Sequence, residues 1–310
     1  MTQKATAILG LLAQTSIHAG TGSNTGIIDL PIQREAHSNY PCVFGSSMKG
    51  ALRVRAEQDY PSKKQEDTGK PSTHPTISAV FGADMQAETL YSGALMVSDA
   101  RLVLLPVRSL TSQFKWVTSP YALQRLADDL QRFGITDRFT MPTVPAPREQ
   151  EEWAWIPEKP AENAYLFLEE YRFRPIQQNL TNIIQVLAKL MKKTGVEGQL
   201  QQQLVVVSDD MFSHLVQHTT PVNAHIAIES ATKTVKGSAL WYEETLPPET
   251  LLYVGLAANK ARKPDSELKT ATDVLNKVTT LFDGDQSWLQ IGGNETVGMG
   301  WCAVSTLKGA

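Results

Sequence analysis

Apolar runs of strand length alternate with stretches of helical periodicity from one end of this chain to the other, and no other feature limits its fold as strongly. Strand-like runs rich in Val, Ile, Leu and aromatic residues occupy Thr6 to Gln14, Gly93 to Val107, Ala164 to Phe173, Gln203 to Ser208, Leu251 to Ala258 and Trp301 to Leu307. Between them, helical patterns cover Ser46 to Asp59, Pro120 to Phe133, Gln177 to Lys193, Asp209 to His218 and Ser266 to Phe282. Interleaved periods of this kind predict an α+β or α/β core rather than an all-β or all-α one. No fixed-period repeat is visible, which argues against a solenoid.

Three stretches interrupt the pattern. Asp59 to Pro75 is polar and punctuated by proline, and reads as a mobile loop. Thr140 to Asn163 is rich in Pro and Glu and reads as an irregular insertion. Thr219 to Glu244 alternates about Lys236-Gly237, a hairpin signature with its turn at that pair.

The 310 residues suffice for one large domain or two ordinary ones, and 42% hydrophobic with 20% charged content is that of a soluble globular chain. A net charge of −3 means that any polyanion partner must be held by a local cationic patch. Cys42 and Cys302 form no CxxC pair, which suits a reducing cytosol and argues against a zinc ribbon or disulfide scaffold. The N-terminal run Ala5 to Ala13 is only nine residues long and reads as a buried first strand rather than a secretory signal. No run approaches bilayer-spanning length.

Three strings carry candidate chemistry. In "FGSSMKGALRVRAEQ", Met48, Ala51, Leu52 and Ala56 share one helix face, and Lys49 and Arg53 stand four apart on another. Ser46 or Ser47 is a natural N-cap, but Lys49 stands where a capping box wants Glu or Gln. A first-turn cation opposes the helix dipole unless an anion binds there; serine hydroxyls, free N–H groups and a lysine together can cradle a phosphate. An amphipathic helix with two solvated cations explains the same residues equally well.

The second string, "IGGNETVGMGWCAV", places Gly292, Gly293, Gly298 and Gly300 ahead of a terminal strand. It is either a binding loop or a wide turn with a bulge, and it does not fit a dinucleotide fingerprint. The third, "GTGSNTGIIDLPIQREAH", sets one carboxylate, Asp29, within an apolar run. Asp29 either pairs with Arg34 or caps a turn, or it is an exposed acid that orients a nucleophile or holds a hydrated metal ion. His214 and His218 have metal-pair spacing without the glutamate of HExxH, and adjacent acids such as Asp128-Asp129 and Glu243-Glu244 read as solvated.

Taken together, "HAGTGSNTGIIDLPIQRE", "PCVFGSSMKGALR", "VVVSDDMFSHL", "LWYEETLPPETLLY" and "IGGNETVGMG" resemble, in matching order, the RAMP-superfamily backbone subunits of Cmr (type III-B) CRISPR effector complexes. The resemblance implies an α+β fold in a single domain spanning 1–310. Its parts are a ferredoxin-like (RRM-type) palm over about 5–58, 91–110, 164–218 and 246–310, finger or loop insertions at about 59–90 and 111–163, and a β-hairpin thumb at about 219–245.

The same resemblance implies a cytoplasmic, RNA-guided endoribonuclease subunit with no membrane partner. Copies of the chain stack side by side along a CRISPR guide RNA, together with the other Cmr subunits, and cut bound target single-stranded RNA at regular intervals. Cutting depends on a divalent metal, Mg²⁺ or Mn²⁺, and on the acid of the "IDLP" loop, which is Asp29 here. His18, Tyr242, Glu243 and Glu244 are possible helpers by their place in matching motifs. RNA contacts fall to Ser46, Ser47, Lys49, Arg53, Gly292, Gly293, Gly298 and Gly300, and to Lys233 and Lys236 of the hairpin. RNA carries its own nucleophile, the 2′-OH, so cleavage needs positioning more than an attacking group. The alternative is a scaffold subunit that binds the guide without cutting.

Overall fold

The computed structural model describes residues 4–64, 71–84, 89–142 and 152–310. Its first strand, β1 (Ala5–Ala13), sends Ala7, Leu9, Leu11 and Ala13 into one hydrophobic core and Ile8 and Leu12 into another. A strand buried on both faces needs apolar residues at every position, which is why it reads as a continuous run.

After β1 come β2 (Cys42–Val43), α1 (Gly45–Asp59), the short pair β3 (Lys63–Lys64) and β4 (Pro71–Ser72), α2 (Pro75–Phe81), β5 (Leu95–Val97), β6 (Ala100–Arg108), β7 (Phe114–Thr118) and α3 (Pro120–Arg132). Then follow β8 (Trp153–Ile156), β9 (Leu166–Leu168), β10 (Tyr171–Gln177), α4 (Thr181–Leu190), α5 (Val196–Gln203), β11 (Leu204–Val207) and α6 (Asp209–His218). The last part holds β12 (Val222–Ile228), β13 (Val235–Glu244), β14 (Leu251–Ala258), α7 (Ala271–Thr279), β15 (Trp288–Gln290) and β16 (Trp301–Lys308).

Among the described residues, a 12-stranded mixed sheet runs in the order β15-β16-β1-β14-β6-β7-β11-β8-β10-β9, with β2 on β6 and β5 on β14. Most pairs are antiparallel; β7–β11 and β8–β10 are parallel. Helices cover both faces. Met48 and Leu52 of α1, Val80 of α2, Phe212 of α6 and Val274 of α7 fill one core; Leu126 of α3, Leu187 of α4 and Leu200 of α5 fill the other. This is the mixed strand-and-helix core that the alternation predicts.

Asp129, which the sequence reads as solvated, is buried on α3, where it accepts a hydrogen bond from the Tyr253 hydroxyl at 2.7 Å and pairs with Arg101 at 2.8 Å and with Arg132. Burial and the Asp129 charge together push the Tyr253 phenol upward. Both cysteines are buried and unpaired, and burial raises each thiol to about 12.

Several boundaries differ from the sequence reading. The run Gly93 to Val107 is two strands, β5 and β6, and Ala164 to Phe173 breaks at Glu169, whose φ is +50°. The helix expected from Ser266 begins only at Ala271, because Thr270 and Asp273 form a capping box there. The hairpin turn lies between Glu229 and Thr234, not at Lys236-Gly237: the Glu229 N–H reaches the Thr234 carbonyl at 2.8 Å. Lys236 and Gly237 belong to β13, where a register shift between Ile226 and Ile228 marks a bulge.

The expected loops at Asp59 to Pro75 and Thr140 to Asn163 lie partly outside the described residues; their described parts contribute β3, β4 and β8. Among the described residues, no helix is long and apolar enough to cross a membrane.

Candidate nucleic-acid interface and cleavage loop

The loop that carries Asp29 is sewn to two other parts of the chain. At its neck, the Gln33 N–H reaches the Ala19 carbonyl at 2.8 Å and the Thr21 N–H reaches Pro31 at 3.1 Å, so residues 21–28 project beyond it. Ile27 at the tip is 95% exposed. Past the tip, Leu30 lies in a parallel bridge beside β13: its N–H donates to Tyr242 at 3.1 Å and its carbonyl accepts from Glu244 at 3.0 Å. The Tyr242 backbone N–H also donates to Asp29 Oδ2 at 2.7 Å. Asp29 is half-buried and, among the described residues, in no ion pair, and the Tyr242 N–H fixes its carboxylate at the foot of the hairpin.

Arg34, the cation that the sequence offers to Asp29, goes to Glu244 instead, at 2.5 Å. Glu244 is buried, and its oxygens also accept from Thr220 Oγ1 at 2.7 Å and from the Ile32 N–H at 3.1 Å. Its neighbour Glu243 is equally buried and accepts from Asn294 Nδ2 at 2.6 Å. Adjacent strand positions face opposite ways, so each acid finds its own partner from a distant part of the chain; neither is solvated as the sequence implied. Tyr242 uses its backbone, not its exposed ring, to hold the loop.

His18 joins the same foot. Its Nδ1 lies 2.8 Å from the Glu244 carbonyl, which can only accept, so Nδ1 carries the proton. Its own carbonyl accepts from the Gly293 N–H at 2.8 Å. A Cβ on Gly292 would stand 2.3 Å from that carbonyl, and φ there is +84°, so only glycine lets the terminal loop lie this close. Gly300 is similarly closed, with the Ile291 carbonyl 2.1 Å from an added Cβ. Gly298 adopts positive φ in open space.

Helix α1 begins one residue before Ser46, so neither serine is its N-cap. The first turn is capped from elsewhere: Asp99 accepts from the Gly45 N–H at 2.7 Å, and Gln33 accepts from Phe44 at 2.6 Å. Gln33 also donates to Gly20 and to Ser47 Oγ, at 3.1 and 3.4 Å, which ties the Asp29 loop to α1. Lys49 Nζ donates to the Leu95 carbonyl at 3.1 Å, and burial, with the nearby Arg262 charge, lowers its pKa. Arg53 is held by Glu57 at 2.9 Å and Asp84 at 2.8 Å. Lys233 and Lys236 are exposed on the hairpin.

A cleft of about 660 Å³ brings two of the separate motifs together: Ser47 of α1 forms one wall, and Gly292 and Gly293 another. Ser46, Lys49, Arg53, Gly298, Gly300 and Asp29 are not among its lining residues. Sequence reasoning missed Gln33, Asp99 and Asn294, because their partners are distant in sequence and nothing local marks them.

Among the described residues, no group of three or more His, Cys, Asp or Glu is arranged to hold a metal ion. Asp29 is a single carboxylate oxygen donor once Tyr242 has taken the other oxygen.

A mixed sheet with helices on both faces, a hairpin whose foot grips the Asp29 loop, and a glycine loop locked beneath it define a mixed α/β protein of one particular family. The RAMP superfamily model matches residues 11–303, and the chain belongs to that family. It is 32% identical over 304 residues to the CRISPR system Cmr endoribonuclease Cmr4 of Pyrococcus furiosus, covering 97% of this chain and 95% of that one. It also resembles the crystal structure of oligomeric Cmr4 from the same organism, with a TM-score of 0.70, 25% identity and 99% of each chain covered. The fold further resembles a chain of the type III-B Cmr-beta complex bound to cognate target RNA, with a TM-score of 0.65 at 18% identity, over 98% of this chain and 97% of that one.

Proposed function

We propose that this chain is a backbone subunit of a Cmr-type CRISPR effector complex, that several copies line a guide RNA, and that Asp29 cleaves the bound target RNA. Full-length similarity to a Cmr endoribonuclease supports the subunit assignment. The observation that carries the cleavage assignment is the hold on Asp29: one oxygen fixed by the Tyr242 N–H, no ion pair among the described residues, and a loop pinned on both sides.

On this reading, β1–α1–β6 and β14–α7–β16 form the ferredoxin-like palm, with β16, β1, β14 and β6 adjacent in that order, and β12–β13 is the thumb. The guide backbone lies against Ser46, Ser47 and Lys49 and against the glycine loop, and the hairpin lysines Lys233 and Lys236 reach the duplex. The target ribose beside Asp29 presents its 2′-OH to the free carboxylate oxygen. That oxygen takes the hydroxyl proton as the 2′-oxygen bonds to the adjacent phosphorus; the bond to the 5′-oxygen breaks, and the departing oxygen takes a proton from solvent. A divalent cation carried by the RNA phosphates would neutralise charge on the phosphorane, and Asp29 is the one protein oxygen donor offered to it. His18, Glu243 and Glu244 act as positioning residues that hold the loop and do not touch substrate.

The test is cleavage by the reconstituted complex. Asp29→Asn keeps the acceptor for the Tyr242 N–H and removes the base, and is expected to slow target cutting about 10²–10⁴-fold with guide binding unchanged. Cutting at the native rate would instead favour the scaffold reading, with catalysis located outside this loop.

A further inference from the structure

Two tryptophans stand where a solvated strand usually carries polar residues. Trp288 on β15 is 42% exposed and Trp301 on β16 is 40% exposed. The register sets Gln290 opposite Trp301 and Trp288 opposite Ala303, so both indoles leave the sheet on one face, as diagonal neighbours. Leu289 and Cys302, alternate to them, are buried on the other face. Among the described residues, neither indole meets another ring or a cation. About two fifths of each residue is therefore left to solvent, with no aromatic or cationic partner from the described chain.

Both indoles line the cleft shared by Ser47 and the Gly292-Gly293 turn. Its other walls carry the exposed amides of Gln58 and Gln286. The charged residues lining it are Arg55 and Glu295, and Arg55 is already held by Asp59 at 2.9 Å and by the Leu281 carbonyl at 3.1 Å. With one cation, already paired, and one acid among its lining residues, the cleft has no net charge with which to select an acidic peptide, and hydrogen bonds at its α1 end are what it offers a phosphate. Indole faces and primary amides are instead what a planar heterocycle needs: a surface to stack on, and donors and acceptors for its edge.

We propose that Trp288 and Trp301 form a stacking subsite for an unpaired nucleobase of RNA whose backbone runs past Ser47 and the glycine turn. The proposal rests on the RNA-binding reading given above. It separates two tasks: the α1 end of the cleft meets phosphate, and the β15–β16 end takes a base out of the strand.

The full chain is titrated with a single-stranded RNA and with the same RNA carrying abasic ribose throughout, across a range of salt. Trp288→Ala and Trp301→Ala are each expected to weaken binding of the base-bearing RNA about ten-fold, with the salt slope unchanged. Trp→Phe at either position should restore most of the loss, which excludes unfolding as its cause. The abasic RNA should bind all variants equally. Equal losses on both RNAs, or none on either, overturn the subsite. If the alanine variants keep full RNA affinity but lose self-association in sedimentation, the occupant is a second copy of the chain and the proposal fails. Salt-dependent binding of both RNAs by the native chain with no preference for bases would sink the stacking idea alone. No binding of either RNA by the native chain would sink the RNA reading with it.

Discussion

Asp29 and Glu244 sit at the same junction of loop and hairpin, and their surroundings could hardly differ more. Glu244 is buried, ion-paired with Arg34 and hydrogen-bonded to Thr220 and to the Ile32 backbone. Asp29 is half-exposed and holds one backbone N–H. The first carboxylate is saturated and can only hold; the second, among the described residues, keeps its other oxygen unbonded, which is what the proposed role requires. Proximity in the fold therefore does not make both acids catalytic, and what separates them is how many donors each already satisfies.

The contrast breaks most sharply at Glu244. Glu244→Ala leaves Arg34 largely buried without its counter-charge, and removing one partner of such a pair costs about 3–5 kcal/mol. Urea denaturation should show that loss, whereas Asp29→Asn should leave the midpoint unmoved. If Glu244→Ala kept native stability but lost cutting, the division of labour between the two acids would be reversed.

A smaller effect is expected at Gln33, the strut between the Asp29 loop and α1. Gln33→Leu keeps the volume but leaves the Phe44 N–H and the Gly20 carbonyl, both in partly buried hydrogen bonds, short of a partner, at about 1 kcal/mol. Because the strut joins both halves of the proposed site, cleavage should fall along with stability. A stable variant with full activity would mean that the loop and the helix are positioned independently.

These struts mark the boundary of what the sequence made legible. The core strands were readable because burial on two faces demands apolar residues throughout, as Leu204–Val207 and Leu251–Ala258 show. Strand β8 was hidden inside a Pro- and Glu-rich stretch, since four residues carry no usable period. The α1 serines looked like caps because local rules favour them there; the acid that caps Gly45, Asp99, stands 54 positions away. Glu243 and Glu244 looked solvated for the same reason, since Asn294 and Arg34 reach them only through the fold. Asp29 stood out as one carboxylate within an apolar run, and Arg34, the local cation the sequence offered it, goes to Glu244 in the fold.

The least dramatic prediction compares the two α1 cations. Arg53 is neutralised by Glu57 and Asp84, and those contacts hold its guanidinium in the charged form. Lys49 donates one N–H to the Leu95 carbonyl and has two more for an anion, with no acid paired to it among the described residues. Lys49→Gln should therefore lower the slope of log affinity for single-stranded RNA against log salt by about 0.7, the value for one phosphate contact, and Arg53→Gln should leave it nearly unchanged. A pH series sharpens the comparison. Burial favours the neutral amine in the folded chain, so Lys49 loses its proton at lower pH than an ordinary lysine. As pH rises through that lowered value the phosphate contact is lost, and RNA affinity should fall before other lysines titrate. Lys49→Arg, which stays charged throughout, should abolish the early fall. An equal salt slope for both glutamine variants would show that the two cations share the RNA and that the acids around Arg53 swing away when it binds.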